Sequence, residues 1–535
     1  MGVIEERLKS SSLEGTWCFG MIVVLAMKLS LCTLAQLAVV ASASVVSYRA
    51  PIYDKSTQFS LKVNDVDQKT INYAGYDYVQ LDLDEGNTYT YRITALTQSS
   101  ITSYTISPKK IPIKATVNGN QLVFTASKAH YLIIKINNLK EIVIMADPTE
   151  TDKPPSSGTG IFNVMNYGAD STGQSVTKGI QNAIDAAGKS PGSIVYVPAG
   201  VYSVGNLVLR SDTSLYLAGG SVLRNTGKPS DYINHYNKTG LLPGTWWIST
   251  DFRSKNIKLY GRGTIDGNGH EMRVNNKFIA EMVVPVDTTH FIYDGPLIRD
   301  SSFWALVPTQ STDVAIKNSK ILNRVNDFYE NDGIDVVESK NVRVFRSISI
   351  ARDDSYSTKT WPDDTGTTVP FPNKPMPLSD VVFSDCLAWT ECYGYKIGQG
   401  TYEQQSNIVF KDSSIYKAAV GIGIDHKFGT SLVNDVTFYN IDIERLWSNA
   451  HGKATWIAIF VEKSGVGPIR DVKVNQINVY DQGAKGGFLM GYDDSSKVSN
   501  VELWNIFMSG STTSAKTLKA MNILYTDFSE NINVH

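Results

Sequence analysis

Between residues 256 and 503 the chain sets an Asn or Asp ahead of a short alternating run eight times. The positions are Asn256, Asp313, Asn341, Asp380, Asn407, Asp435, Asp471 and Asn500, followed by runs such as IKL, VAI, VRV and VVF. Starts lie 27 to 57 residues apart, and the longer gaps have room for an extra coil or an insertion. A small polar corner followed by a short strand, recurring at about the length of one coil, is the pattern of a parallel β-helix. A many-stranded sandwich or a propeller is the alternative, but propeller blades need longer and more even repeats. No helical pattern alternates with these strands. One amphipathic helix is predicted over residues 177–187, where it would cover the open end of the coil stack against edge pairing.

Two acidic motifs stand one coil apart in this half: Asn331-Asp332-Gly333-Ile334-Asp335, then Arg352-Asp353-Asp354. Asp353 is 21 positions after Asp332, and Asp354 is 22. Neighbouring rungs of a parallel stack lie about 4.8 Å apart, so this spacing gathers three carboxylates on one patch. Like-charge repulsion makes such a patch costly unless it serves a ligand or a reaction. Asp335 stands an odd three positions beyond Asp332, so strand alternation sends it to the opposite face, and it is read as structural. The competing reading is a turn-rich Asp cluster or a calcium site, since Asp-Gly favours turns and hard cations take carboxylate oxygens.

The rest of the chain divides around this half. The apolar stretch 21–43 ends in Ala41-Ser42-Ala43, a small-residue cleavage pattern. Residues 1–43 are read as a signal region with Met27 as the true start, against the alternative of a membrane anchor. Residues 45–146 alternate in short runs separated by turn residues and read as a small β-sandwich. Residues 147–160, DPTETDKPPSSGTG, read as a linker. Residues 161–535 form the β-helix. The fold class is therefore all-β, a parallel β-helix preceded by a small β-sandwich. Once the signal region leaves, Cys386 and Cys392 remain, either as a small-loop disulfide or as two thiols.

Composition narrows the partners. The chain has 535 residues, 19% of them charged, with a formal net charge of −2. No basic footprint for nucleic acid is present.

Several segments resemble, in order, the polygalacturonase family of glycoside hydrolases, family 28. They are TIDGNG (264–269), RDSSFWALVPTQSTDVAIKNSKI (299–321), NDGIDV (331–336), ARDD (351–354) and YGYKIG (393–398). The resemblance spans roughly residues 160–530 and implies a right-handed parallel β-helix. A sister family of dextranases adds an N-terminal sandwich to the same helix. By this resemblance Asp353 is the general acid, while Asp354 and Asp332 activate the attacking water. Tyr393 occupies the place of a family histidine. The family's downstream Arg-Ile-Lys has no match, and His426 and Lys427 fall nearest to it.

These departures put uronate specificity in doubt while hydrolysis remains. Substrate contacts are expected from Tyr393, Lys396, His426, Lys427, Lys359 and Trp361. Trp304, Tyr356, Tyr395 and Trp447 are further candidate sugar platforms. The expectation is a secreted, extracellular, monomeric polysaccharide hydrolase of the inverting kind, acting on cell-wall material, with no metal or cofactor and no lasting membrane association. The alternatives are a dextranase-like hydrolase of a neutral α-glucan, a non-catalytic carbohydrate-binding β-helix, and a polysaccharide lyase.

Overall fold

All eight corner residues adopt the left-handed backbone conformation, with φ between 52° and 61°. Asn and Asp reach it at lower cost than other side chains because their short polar groups bond locally. Their amides also bond from coil to coil: Asn407 Nδ2 donates to Asp380 Oδ1 at 2.7 Å, and Asn500 Nδ2 to Asp471 Oδ1 at 2.9 Å. A second left-handed position follows five residues after seven of these corners: Asn318, Arg346, Asp385, Asp412, Asn440, Gln476 and Asn505. Each long strand, Thr312–Leu322 for example, therefore bends twice as it crosses the molecule. Arg346 and Gln476 break the Asn/Asp pattern at these second corners, which hid them in the sequence.

The computed structural model describes residues 45–48, 51–238, 242–363, 366, 370–447 and 454–535. The proposed signal region falls outside them. Among the described residues no helix is long and apolar enough to cross a membrane. Ala43–His535 forms one unit. Within it a parallel sheet climbs from Ile161–Asn163 to Ser529–Val534, while a second holds Ile334–Val337, Tyr356–Thr360, Tyr393–Thr401, Val420–Lys427, Thr455–Val461, Gly487–Met490 and Ile523–Tyr525. This is a right-handed parallel β-helix preceded by a small β-sandwich. Its core is a continuous apolar column that includes a ring stack of Tyr356, Tyr395 and Phe410. The helix Gly179–Ala187 buries Ile180, Ala183 and Ile184 in the same core.

The sandwich has a core of its own, yet it docks tightly on the long sheet. Tyr76, Tyr78, Ile133 and Val143 pack against Leu297, Ile348, Leu387 and Trp389. Buried charges cross the junction: Arg262 Nε lies 2.8 Å from Asp82 Oδ1, and Lys320 Nζ pairs with Asp147. Asp147 belongs to the strand Glu141–Pro148 and is fully buried. The segment read as a linker thus starts inside a strand. It then lies along the long sheet, with Tyr216 Oη donating to Glu150 and Lys258 pairing with Asp152.

Candidate active site

The coil offset at the acid motifs is 22, because Ile334 pairs with Tyr356. Asp354 therefore sits in register with Asp332, and Asp353 stands one position before. The next rung pairs Tyr356 with Tyr395, which sets Tyr393 against Asp354. Inward positions of these strands are Ile334, Tyr356, Tyr395 and Ile422, all in the core. The register line running Asp335, Ser357, Lys396 faces outward instead.

Asp332, Asp353, Asp354, Lys359, Lys396, Trp361, Trp304 and Lys427 line one cleft of about 540 Å³. Lys359 Nζ bridges Asp332 Oδ2 at 2.6 Å and Asp335 Oδ1 at 2.8 Å. Lys396 Nζ donates to Asp354 Oδ2 at 2.9 Å and lies 3.9 Å from Asp425 Oδ2. Asp335 is thus part of the cluster, and its expected isolation on the other face is corrected. Strand alternation failed as a guide because the strand begins only at Ile334, and Asp332 stands before the bend at Gly333 that leads into it.

Asp353 is the half-exposed member of the three. Glu330 N–H donates to its Oδ2 at 2.9 Å and Asp354 N–H to its Oδ1 at 3.0 Å, which fixes the carboxyl at the cleft. Asp332 and Asp354 are nearly fully buried. Burial, reinforced by Asp335, pushes the Asp332 carboxyl well above the usual carboxylate range against the pull of Lys359. Burial also works to raise Asp354, but Lys396 and Lys359 outweigh it and hold that carboxyl below its ordinary value. Burial opposes the charge on Lys359, and Asp332 and Asp335 more than restore it. Burial, reinforced by Asp335, pushes Glu281 up to about 8. The cluster thus favours the protonated form at Asp332 and the ionised form at Asp354. Lysines fill the acidic patch where the calcium reading placed a cation. Among the described residues, the group that could hold a metal is Asp353, Asp354 and Cys392, with ligand atoms within 4.8 Å of one another. A thiol in that set suits a thiophilic ion better than calcium.

The remaining predicted residues divide. Trp361 lines the cleft with its ring tilted against Phe428, and Lys427 stands at the rim paired with Glu462 at 3.2 Å. Tyr393 and His426 do not line the cleft. The Tyr393 ring is fully buried beneath Lys396, and its contribution at the cluster is the backbone N–H that donates to Asp354 Oδ1 at 3.3 Å. His426 is buried with Nδ1 2.6 Å from Gly465 O and Nε2 2.7 Å from Ser431 O, so it ties loops together. Substrate contact by either ring is corrected on these grounds. Tyr356 and Tyr395 are core rings, and Trp447 stacks under Lys417. Cys386 and Cys392 are separate thiols. Lys238, Tyr329, Glu330, Gln399 and Glu462 also line the cleft and were missed. Lys238, Tyr329, Glu330 and Glu462 lie outside the strands and Gln399 lies in the strand Tyr393–Thr401, and none of them carries the repeat signal.

A family model described as Glycosyl hydrolases family 28 matches residues 192–526. The chain belongs to that family. Membership places it among the glycoside hydrolases. It is 26% identical over 249 residues to an exo-poly-alpha-D-galacturonosidase of Dickeya chrysanthemi, covering 36% of this chain and 41% of that relative. The chain therefore spans less than half the length of this curated relative. Among solved structures, the family 28 exopolygalacturonase of Yersinia enterocolitica superposes with a TM-score of 0.51 at 16% identity, covering 84% of this chain and 97% of that one. Dex49A from Penicillium minioluteum superposes with a TM-score of 0.56 at 13% identity, covering 90% and 96%. Both likenesses extend the agreement in fold.

Lys396→Met in this family 28 member tests the ion pair at Asp354. For a water-activating base at Asp354 the ionised form is required, so activity would fall as pH drops through its pKa. An opposite charge at this range lowers a carboxyl by about 1–3 units. Without Lys396 the acidic limb of the pH–rate profile is expected to move up by about that amount, read from kcat/KM against pH. An unmoved limb rejects the assignment.

Proposed function

We propose that the chain is a secreted, polygalacturonase-like hydrolase that cleaves a polysaccharide with inversion. One observation carries this reading: a half-exposed Asp353 stands at the mouth of a cleft whose floor holds Asp354, kept ionised by Lys396, in register with Asp332. Asp353 protonates the leaving oxygen as general acid. Asp354 activates the attacking water, and Asp332, whose buried Oδ1 makes no hydrogen bond within the protein, helps to hold it. Nearest oxygens of Asp353 and Asp354 lie within 4.8 Å, closer than the roughly 6.5–9.5 Å usual for inverting pairs. Inversion follows from giving Asp354 to a water and not to the sugar, each of its oxygens keeping a lone pair for that water beside its bond to Lys396 or to the Tyr393 N–H.

The family and the Dickeya relative support a galacturonan as substrate. A neutral α-glucan is the second reading, favoured by the pairing of every cleft lysine: Lys238 with Glu330, Lys359 with Asp332, Lys396 with Asp354 and Lys427 with Glu462. Among the described residues such a cleft offers a uronate no uncommitted ammonium. Reducing sugar released from polygalacturonate and from dextran decides between them, and proton NMR of the first product gives the anomer. Release from polygalacturonate with the inverted anomer is expected. Release from dextran alone supports the second reading, and release from neither rejects hydrolysis of both.

A further inference from the structure

The register line that carries Asp335, Ser357 and Lys396 continues past the cleft. On successive rungs it passes through Gly423, Ala458, Phe488 and Tyr525. Residues on one register line share a face of the sheet. The face that presents the acid cluster therefore also presents these aromatic side chains. At Gly423 a Cβ would come within 2.8 Å of Tyr393 Cε1, so the Tyr393 ring lies across the space a side chain would fill. Tyr393, Val420 and Ala458 form a small apolar cluster, with Cys392, Phe460 and Phe488 packed on it. Cys392 lines the cleft. Apolar packing, buried at Tyr393, Val420 and Ala458, thus runs without a break from Cys392 in the cleft wall to Phe488.

The rings beyond the cleft remain open. Phe488 stacks on Tyr525 with centroids 4.6 Å apart and planes 13° from parallel, and Phe460 lies 6.1 Å from Phe488. Phe460 and Phe488 are half-exposed and Tyr525 is 44% exposed. At about 4.8 Å per rung, Phe488 stands about 14 Å along the helix from Lys396, and Tyr525 about 19 Å. Exposed apolar surface in contact with a functional cleft marks a place where something binds. A polysaccharide chain leaving the cleft along the helix axis would meet these rings next.

We propose that Phe460, Phe488 and Tyr525 form a second carbohydrate platform, which holds sugar rings of the substrate chain well away from the bond being cut. It presupposes the hydrolytic reading of the cleft and adds where the rest of the polymer lies. Ring faces take the C–H face of a pyranose, and the Tyr525 hydroxyl is free to meet a sugar hydroxyl at the edge. The platform carries no charge of its own, so it accepts a neutral or a uronic sugar alike.

Phe488→Ala and Tyr525→Ala, singly and together, test this. Each ring is expected to be worth about a two- to tenfold rise in KM on long polymer. The value of kcat, and all rates on oligosaccharides short enough to fill the cleft alone, stay at wild type. Tyr525 is exposed, so its loss leaves no cavity and the fold is not at risk. Affinity electrophoresis in gels holding the polymer reads binding without turnover, with Asp353→Asn as background; the platform variants should lose retardation. Unchanged KM and mobility in Tyr525→Ala, with short oligosaccharides still cut, overturns the platform and leaves the hydrolytic reading intact. Short oligosaccharides left uncut by the unaltered protein would count against that reading instead, while gel mobility still reports on the rings. A dimer dispersed by Phe488→Ala, with no change in KM, overturns the proposal in favour of contact between copies.

Discussion

Asp353→Asn is expected to lower kcat on polysaccharide by about 10²–10⁴-fold, the range lost when a positioned general acid is removed. The substitution keeps the side-chain shape and one acceptor oxygen, so one of the hydrogen bonds from Glu330 N–H and Asp354 N–H survives. Asp353 is half-exposed, and the thermal midpoint should scarcely move. The assignment as acid, rather than base, has its own signature. A substrate with a good leaving group, such as an aryl glycoside, needs little protonation, so Asp353→Asn should impair it far less than polymer. Asp354→Asn should impair both alike, because water must be activated whatever the leaving group. Equal losses on both substrates in Asp353→Asn would move the acid role to Asp332, the carboxyl that its surroundings push up. Unchanged activity would remove Asp353 from the chemistry.

The parts of this site that could be read from sequence are those fixed by backbone necessity. A corner that must adopt positive φ favours Asn or Asp, so the first corners announced the coils, and the coil length brought Asp332 under Asp354. Side-chain direction was less legible. Parity arguments hold only within a strand, and Asp332 precedes one, so Asp335 was misplaced. Tyr393 and His426 were chosen by their place in a motif, and a motif does not state burial. Burial depends on the neighbouring coils: Ala458 and Val420 cover the Tyr393 ring, and the Gly465 and Ser431 carbonyls hold His426. The docking of the linker was hidden for a related reason. Its Pro, Ser and Thr content is that of a free segment, but Asp147, Glu150 and Asp152 each find a partner on the long sheet.

That junction carries the largest expected effect on stability. Lys320 is wholly buried on the long sheet and donates to Asp147 and to Asn318 O at 2.9 Å. Asp147 is wholly buried too, accepts from Tyr131 Oη at 2.5 Å and has Arg262 Nε 3.6 Å away. Lys320→Met removes one partner and leaves Asp147 with a distant guanidinium and one hydroxyl. Breaking a buried pair from one side costs about 3–5 kcal/mol, because a desolvated charge is left poorly compensated. Equilibrium denaturation should show a loss of that size, with earlier proteolysis between the sandwich and the helix. Lys320→Met/Asp147→Asn removes the charge along with its partner and keeps an acceptor for Tyr131, so it should recover much of the loss. Activity at low temperature should be retained in both variants, since Lys320 lies on the long sheet and the cleft lines the other. If the double variant is as unstable as the single one, the cost lies in how the new side chain packs in the space vacated by Lys320 rather than in charge. If the single variant is as stable as wild type, the docking of the sandwich rests on its tyrosine face, where Tyr76 and Tyr78 meet Trp389 and Leu297, and the buried charges set only its orientation.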